Sequence, residues 1–194
     1  MRSLTAPTPP VYLWGPRGSG KTRLMRATVV HRQSLGERVG WFDADDALPW
    51  HLDDSWSLLA IDDCDRLDLS RQAEAFRLFV EANGRGLLWL SSGQVPPIDL
   101  PLREDLRSRL GWGHVFALQP LTESETRSAL RREADRRGIV LSDDVMGYLL
   151  TRFARDMKNL MSLLDRLDEF ALSEHRHVTV PLLRKMLVDA GETP

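Results

Sequence analysis

Residues 15–22 have the sequence Gly15-Pro16-Arg17-Gly18-Ser19-Gly20-Lys21-Thr22. They fit the phosphate-binding loop pattern G-x-x-x-x-G-K-[ST] at every fixed position. The glycines allow backbone conformations that a Cβ would forbid, so that consecutive N–H groups can surround a phosphate. In this pattern Lys21 reaches the β- and γ-phosphates and the Thr22 hydroxyl binds Mg²⁺. We therefore predict that residues 15–22 hold the phosphates of a nucleotide.

The flanking residues favour this interpretation over a glycine turn that binds nothing. Residues 11–14 form a short apolar run typical of a buried strand, and residues 23–30 are typical of a helix. The motif requires a strand, the loop and a helix in this order. The positive N-terminal end of such a helix also attracts a phosphate.

Composition limits the classes of protein to which the chain can belong. Its 194 residues, of which 42% are hydrophobic, suit one α/β domain with a small appendage. A net charge of −2 argues against a globally basic nucleic-acid binder, so direct DNA binding is not expected. The single cysteine, Cys64, cannot form an internal disulfide and favours the cytoplasm. No apolar run approaches membrane-spanning length, so we expect no membrane partner.

Apolar runs after the loop predict a mostly parallel, five-stranded sheet with flanking helices. The further strands are expected at 39–43, 57–63, 87–90 and 114–118, with helices at 69–83 and 102–110. The first of these helices has apolar residues at Ala73, Phe76, Leu78, Phe79 and Val80. Residues 44–56 should be a short connection with at most one helical turn, and residues 1–10 a disordered lead-in.

The third predicted strand ends in two acids, Asp62 and Asp63. Its carboxyl end should lie at the ligand-binding edge of the sheet. A carboxylate there is what a phosphate-loop nucleotidase uses to hold Mg²⁺ through water, and we assign that role to Asp62. Asp63 would orient or deprotonate the attacking water. The alternative is that both acids cap the following segment, and the phosphate loop upstream favours Mg²⁺ binding.

No strand pattern appears after Pro120. Thr122 and Glu125 form a capping box at the start of a helix, and Ser142 and Thr179 can cap two others. A further helix is expected over 156–173, with an apolar stripe at helical spacing. We therefore predict a nucleotide-binding α/β domain over 1–119 and a helical lid domain over 120–194.

Several motifs together resemble the AAA+ module of the DnaA family over about residues 9–188. They are the Gly-Pro opening of the phosphate loop, the Asp-Asp strand end and the helical tail. Two more specific runs, Ser108-Arg109-Leu110-x-Trp112-Gly113 and Leu118-Gln119-Pro120-Leu121, look like the Hda-like regulators of that family. The resemblance implies an AAA+ fold that binds ATP or ADP with Mg²⁺.

The resemblance also implies roles for single residues. Arg109 matches the arginine finger, which acts on the nucleotide bound by a neighbouring subunit. The alternative is that Arg109 simply lies on a solvent-exposed face of its helix. Gly93 stands where the family has an acid, and Ser92 is the nearest polar substitute that could act in catalysis. Lys158 stands where the family has a nucleotide-contacting arginine, and it lacks the bidentate fork. Both departures predict a weak ATPase activity of the chain itself.

The implied function is regulation of replication initiation, by stimulating ATP hydrolysis in a DnaA-like initiator. The family also binds the DNA sliding clamp, but its glutamine-leucine clamp motif is missing here. The chain should be a monomer or associate weakly with itself. One alternative is a stand-alone phosphate-loop NTPase or nucleotide kinase, which would need a substrate lid inserted in the sheet domain. The other is a DNA-binding initiator or loader fragment. Initiators of this family carry an extra helical insertion before the Asp-Asp strand, and the 44–56 connection is too short to contain it.

Overall fold

The computed structural model describes residues 8–153 and 157–191, without the side chain of Lys158. The predicted role of Lys158 and most of the predicted lead-in therefore lie outside the described residues. The strands are β1 Val11–Trp14, β2 Arg38–Phe42, β3 Trp56–Ile61, β4 Leu88–Gly93 and β5 His114–Ala117. The helices are α1 Lys21–Ser34, α2 Leu69–Gly84, α3 Glu104–Leu110, α4 Glu123–Arg136, α5 Asp143–Arg152, α6 Met157–Glu174 and α7 Val180–Asp189.

The five strands form one parallel sheet in the order β2-β3-β4-β1-β5, which confirms the predicted fold class. Because side chains alternate along a strand, the sheet has two apolar faces. On one face Leu13 packs with Met25 of α1. On the other face Tyr12 packs in the same cluster as Leu78 of α2 and Leu106 of α3. All five strands run the same way, so their carboxyl ends meet at one edge.

The second compact unit begins after Pro120 and is helical in its described residues. The capping box predicted at Thr122 and Glu125 is present, with each side chain bonded to the backbone N–H of the other residue. The Ser142 and Thr179 side chains accept hydrogen bonds at the starts of α5 and α7, as predicted. A buried cluster of leucines from α4 to α7, including Leu130, Leu149 and Leu164, gives this unit its own core.

One sequence expectation about apolar residues was wrong, and one buried residue was not foreseen. In α2 the residues Ala73 and Val80 are exposed, because the buried stripe runs through Gln72, Ala75, Leu78, Phe79 and Ala82. In the connection between β2 and β3, which contains no helix, Trp50 is nearly completely buried. Its ring stacks on Phe42 with the ring centres 4.8 Å apart. An apparently polar loop thus contributes to the core.

Among the described helices, none combines the length and the apolar character needed to cross a bilayer.

Candidate nucleotide-binding site

The candidate site lies at the carboxyl edge of the sheet, where the segments after β1, β3 and β4 meet. The Gly15 N–H, after β1, donates to the carbonyl of Gly93 at the end of β4, at 3.3 Å. The Asp62 N–H, after β3, donates to the Phe42 carbonyl at the end of β2, at 3.0 Å. In open parallel sheets this edge is where ligands bind. The topology therefore brings together the phosphate loop, Asp62, Asp63 and Ser92.

The phosphate loop has the backbone that its glycines were predicted to allow. Gly15, Gly18 and Gly20 have φ values of 154°, 80° and 92°, which side-chain-bearing residues rarely adopt. A Cβ at Gly15 would lie 2.2 Å from the carbonyl oxygen of Leu118. Gly15 therefore lets β1 turn sharply into the loop beside the segment that follows β5. Helix α1 starts at Lys21, within the last two residues of the loop motif.

Lys21 is buried and folded onto its own loop. Its ammonium donates to the carbonyl oxygens of Gly15 at 2.8 Å and Pro16 at 3.1 Å. Two hydroxyls beside it have no hydrogen-bond partner among the described residues. The Ser19 Oγ is buried, and the Thr22 hydroxyl lies in the first turn of α1. A loop with two uncommitted hydroxyls and a cation bound only to carbonyls has the donors that a phosphate requires.

The two acids after β3 lie beside Ser92. The Ser92 hydroxyl donates to Oδ1 of Asp62, and both residues are buried. The Asp63 N–H also points at this pair, 3.1 Å from the same Oδ1 and 3.2 Å from Ser92 Oγ. Asp62 Oδ2 accepts no hydrogen bond from any described residue. The Asp62 carboxylate is therefore held at one oxygen and free to accept at the other.

Asp63 has the electrostatics of a candidate base. Burial raises the pKa of its carboxyl above the usual range, and the negative charges of Asp62 and Asp65 raise it further. The charge of Lys21 opposes this shift. Asp63 also has a left-handed backbone, with φ 48°, which is uncommon for a residue with a side chain. A raised pKa brings a carboxylate closer to the value suited to proton transfer at neutral pH.

The end of β4 is closed to any side chain at position 93. A Cβ at Gly93 would lie 2.1 Å from the Tyr12 hydroxyl oxygen and 3.3 Å from Oδ1 of Asp65. Burial raises the pKa of Tyr12 far above its usual range, so the phenol stays protonated and donates to the Val95 carbonyl at 3.0 Å. Gln94 holds Asp65 through its backbone N–H and its side-chain amide. Sequence reasoning noted Gly93 but could not find the tyrosine that fills its place.

We expect Gly93→Ala to destabilise the protein by about 1–3 kcal/mol, because the added methyl overlaps the Tyr12 hydroxyl. Thermal or urea unfolding measures the change. Gly84→Ala is the matched control, since a Cβ there meets no atom within 4 Å. Tyr12→Phe removes the overlapping atom, so Tyr12→Phe with Gly93→Ala should cost less than the two single changes added together. Strict additivity would show that Tyr12 does not exclude a side chain at this position.

Arg109 lies on the last turn of α3 and is exposed. No described side chain forms an ion pair or hydrogen bond with its guanidinium. Arg103, just before the same helix, is instead paired with Asp105 at 2.6 Å. The Trp112 N–H donates to the Arg109 carbonyl at 3.3 Å, and the Trp112 side chain is 51% exposed. An unpaired arginine three residues from an exposed tryptophan is more typical of a contact surface than of a packed helix end.

Comparison with known proteins identifies the chain. The sequence model of the Hda lid domain matches residues 123–187. An uncharacterised protein of Haemophilus influenzae is 33% identical over 191 residues, which span 91% of this chain and 80% of that protein. The chain belongs to the Hda-like group of the DnaA family of AAA+ proteins.

Solved structures show the same fold. Domain III of DnaA from Thermotoga maritima superimposes with a TM-score of 0.73 at 20% identity, covering 93% of this chain and 83% of that one. The AMPPCP-bound DnaA from Aquifex aeolicus gives 0.66 at 19% identity, over 83% of this chain and 55% of that one. The RuvB branch migration motor of Thermotoga maritima gives 0.68 at 18% identity, over 94% and 62%. The AAA+ fold implied by the resemblance is therefore confirmed.

Proposed function

We propose that the chain is an adenine-nucleotide-binding regulator that stimulates ATP hydrolysis by a DnaA-like initiator and so inhibits replication initiation. The observation that carries this proposal is the unpaired, exposed Arg109 on a unit that also has a complete phosphate loop. A guanidinium is always charged and suits the oxygens of a transferring phosphoryl group. Arg109 would act on nucleotide held by the partner, in the cytoplasm.

The residues at the sheet edge fit a resident nucleotide with Mg²⁺. The loop N–H groups and Lys21 would bind phosphate oxygens, and Thr22 and Asp62 would hold the cation. Bound Mg²⁺ would neutralise phosphate charge. The DnaA of Aquifex aeolicus, which shares the fold, is AMPPCP-bound, and this supports an adenine nucleotide. Either ATP or ADP satisfies the same contacts.

The decisive test is ATP turnover by a purified DnaA-like initiator, measured alone and with added nucleotide-loaded protein. We expect the initiator's turnover to rise with the amount of protein added. A second series should include the sliding clamp loaded on DNA, because the Hda-like resemblance implies clamp binding. An initiator whose turnover is unchanged in both series would contradict the proposed regulation and leave a nucleotide-binding module without this partner.

The chain's own ATPase should be slow. Gly93 provides no side chain to position water, and the Tyr12 hydroxyl occupies the space where one would lie. Lysine at position 158 also cannot form the bidentate contact that an arginine would form. Phosphate release by the purified monomer should therefore stay well below the range of about 1–10³ s⁻¹ typical of enzymes. Turnover within that range, removed by Asp63→Asn, would instead favour a stand-alone phosphate-loop NTPase.

A further inference from the structure

The resemblance made Ser92 a polar substitute that could act in catalysis, but in the structure its hydroxyl is already bonded to another residue. It donates to Asp62 Oδ1, and the serine is completely buried. In the pairing of β3 with β4, Ile61 lies opposite Ser91. Asp62 and Ser92 are the next residues along the two chain segments. Position 62 therefore lies opposite position 92. The contact is built into the register of the sheet, so it does not depend on a loop.

Asp62 has an asymmetric environment. Oδ1 accepts from the Ser92 hydroxyl and from the Asp63 N–H, whereas Oδ2 accepts from no described residue. Two donors on one oxygen fix the plane of the carboxylate and direct the other oxygen away from the strand. Partners of this kind orient metal-binding carboxylates in proteins and affect metal affinity without touching the metal.

We propose that Ser92 is a positioning residue for Mg²⁺, acting through Asp62 instead of touching the nucleotide. This inference rests on the proposed nucleotide site and deepens it. The hydroxyl of Ser92 keeps the Asp62 carboxylate in the one orientation that presents Oδ2 to the Mg²⁺ shell. Loss of this hydroxyl frees the carboxylate to rotate, so Mg²⁺ binds less tightly while the phosphate loop still holds the nucleotide.

Ser91 provides a matched control in the neighbouring position. It is also a completely buried serine of β4, but it lies on the opposite face of the strand. Its hydroxyl donates to the Val11 carbonyl at 3.4 Å and to no acid in the described part of the chain. Ser91→Ala and Ser92→Ala therefore delete the same group from the same strand, and only Ser92→Ala removes a donor from Asp62.

The experiment is a Mg²⁺ titration of each variant bound to a fluorescent ADP analogue, with nucleotide affinity in excess EDTA as the second measurement. We expect Ser92→Ala to weaken Mg²⁺ binding by about 10- to 100-fold, the usual effect of removing such a partner. Nucleotide affinity in EDTA should stay within about twofold of wild type, and Ser91→Ala should match wild type in both measurements.

Ser92→Cys keeps the test decisive if the alanine variant does not fold. A thiol is nearly the same size but donates weakly, so its Mg²⁺ affinity should also fall. Equal Mg²⁺ affinity of the Ser91 and Ser92 variants would overturn the positioning role, as would a loss in EDTA as large as the loss with Mg²⁺. If wild type itself binds no ADP analogue, the proposed nucleotide site is at fault and the role of Ser92 falls with it.

Discussion

Arg109→Ala should lower the stimulation of a DnaA-like ATPase by about 10³-fold or more, while the variant still folds and binds nucleotide. An arginine supplied to a neighbouring active site contributes about 10³–10⁵ in rate in phosphoryl transfer. The side chain is exposed and has no partner among the described residues, so its loss removes no packing. Exposed positions of this kind change stability by about 0.5 kcal/mol or less. The measurement is partner turnover at saturating concentrations of the variant.

Two further variants separate the guanidinium from its charge and from general basicity. Arg109→Lys keeps the charge but not the planar fork, so it should be nearly as damaging as alanine. Arg103→Ala removes an arginine that lies just before the same helix and is paired with Asp105, and it should stimulate like wild type. If Arg109→Ala stimulates the partner fully, the finger assignment is wrong. Arg107, also on α3, is then the next candidate.

Much of the fold was predictable because its signals are local. The phosphate loop specifies a strand before it and a helix after it, and short apolar runs between helices predict a parallel sheet. The helix caps at Thr122, Ser142 and Thr179 each depend on residues three positions apart or fewer. These features follow from neighbours in the chain, and the structure confirms them.

What the sequence could not predict depends on contacts between distant residues. The core position of Trp50 depends on Phe42 and on the sheet, and a polar loop gives no sign of it. The contact of Ser92 with Asp62 joins residues 30 positions apart. The overlap of Tyr12 with position 93 arises only when β1 lies beside β4. The candidate residues could thus be identified from the sequence, whereas the contacts that determine their roles are visible only in the folded chain.

Lys21→Ala should reduce the affinity for ADP and ATP by about 100-fold or more. Hydrogen bonds to a charged group are worth about 1.5–3 kcal/mol each, and two of them correspond to at least that loss in affinity. Among the described residues the Lys21 ammonium bonds only to the carbonyls of Gly15 and Pro16, so a phosphate can take over both of its bonds. A fluorescence titration with ATP, ADP and AMP measures the effect.

The dependence on phosphate number distinguishes a direct contact from a damaged fold. Because lysine in this motif reaches the β- and γ-phosphates, the variant should lose affinity for ADP and ATP but change little toward AMP. Lys185→Ala, which deletes an exposed lysine paired with Glu174 at 2.8 Å, controls for the loss of one positive charge. Thermal unfolding should show Lys21→Ala folded, because among the described residues the Lys21 ammonium bonds only within the loop. Unchanged ADP affinity in a folded Lys21→Ala variant would remove the phosphate loop from the nucleotide site.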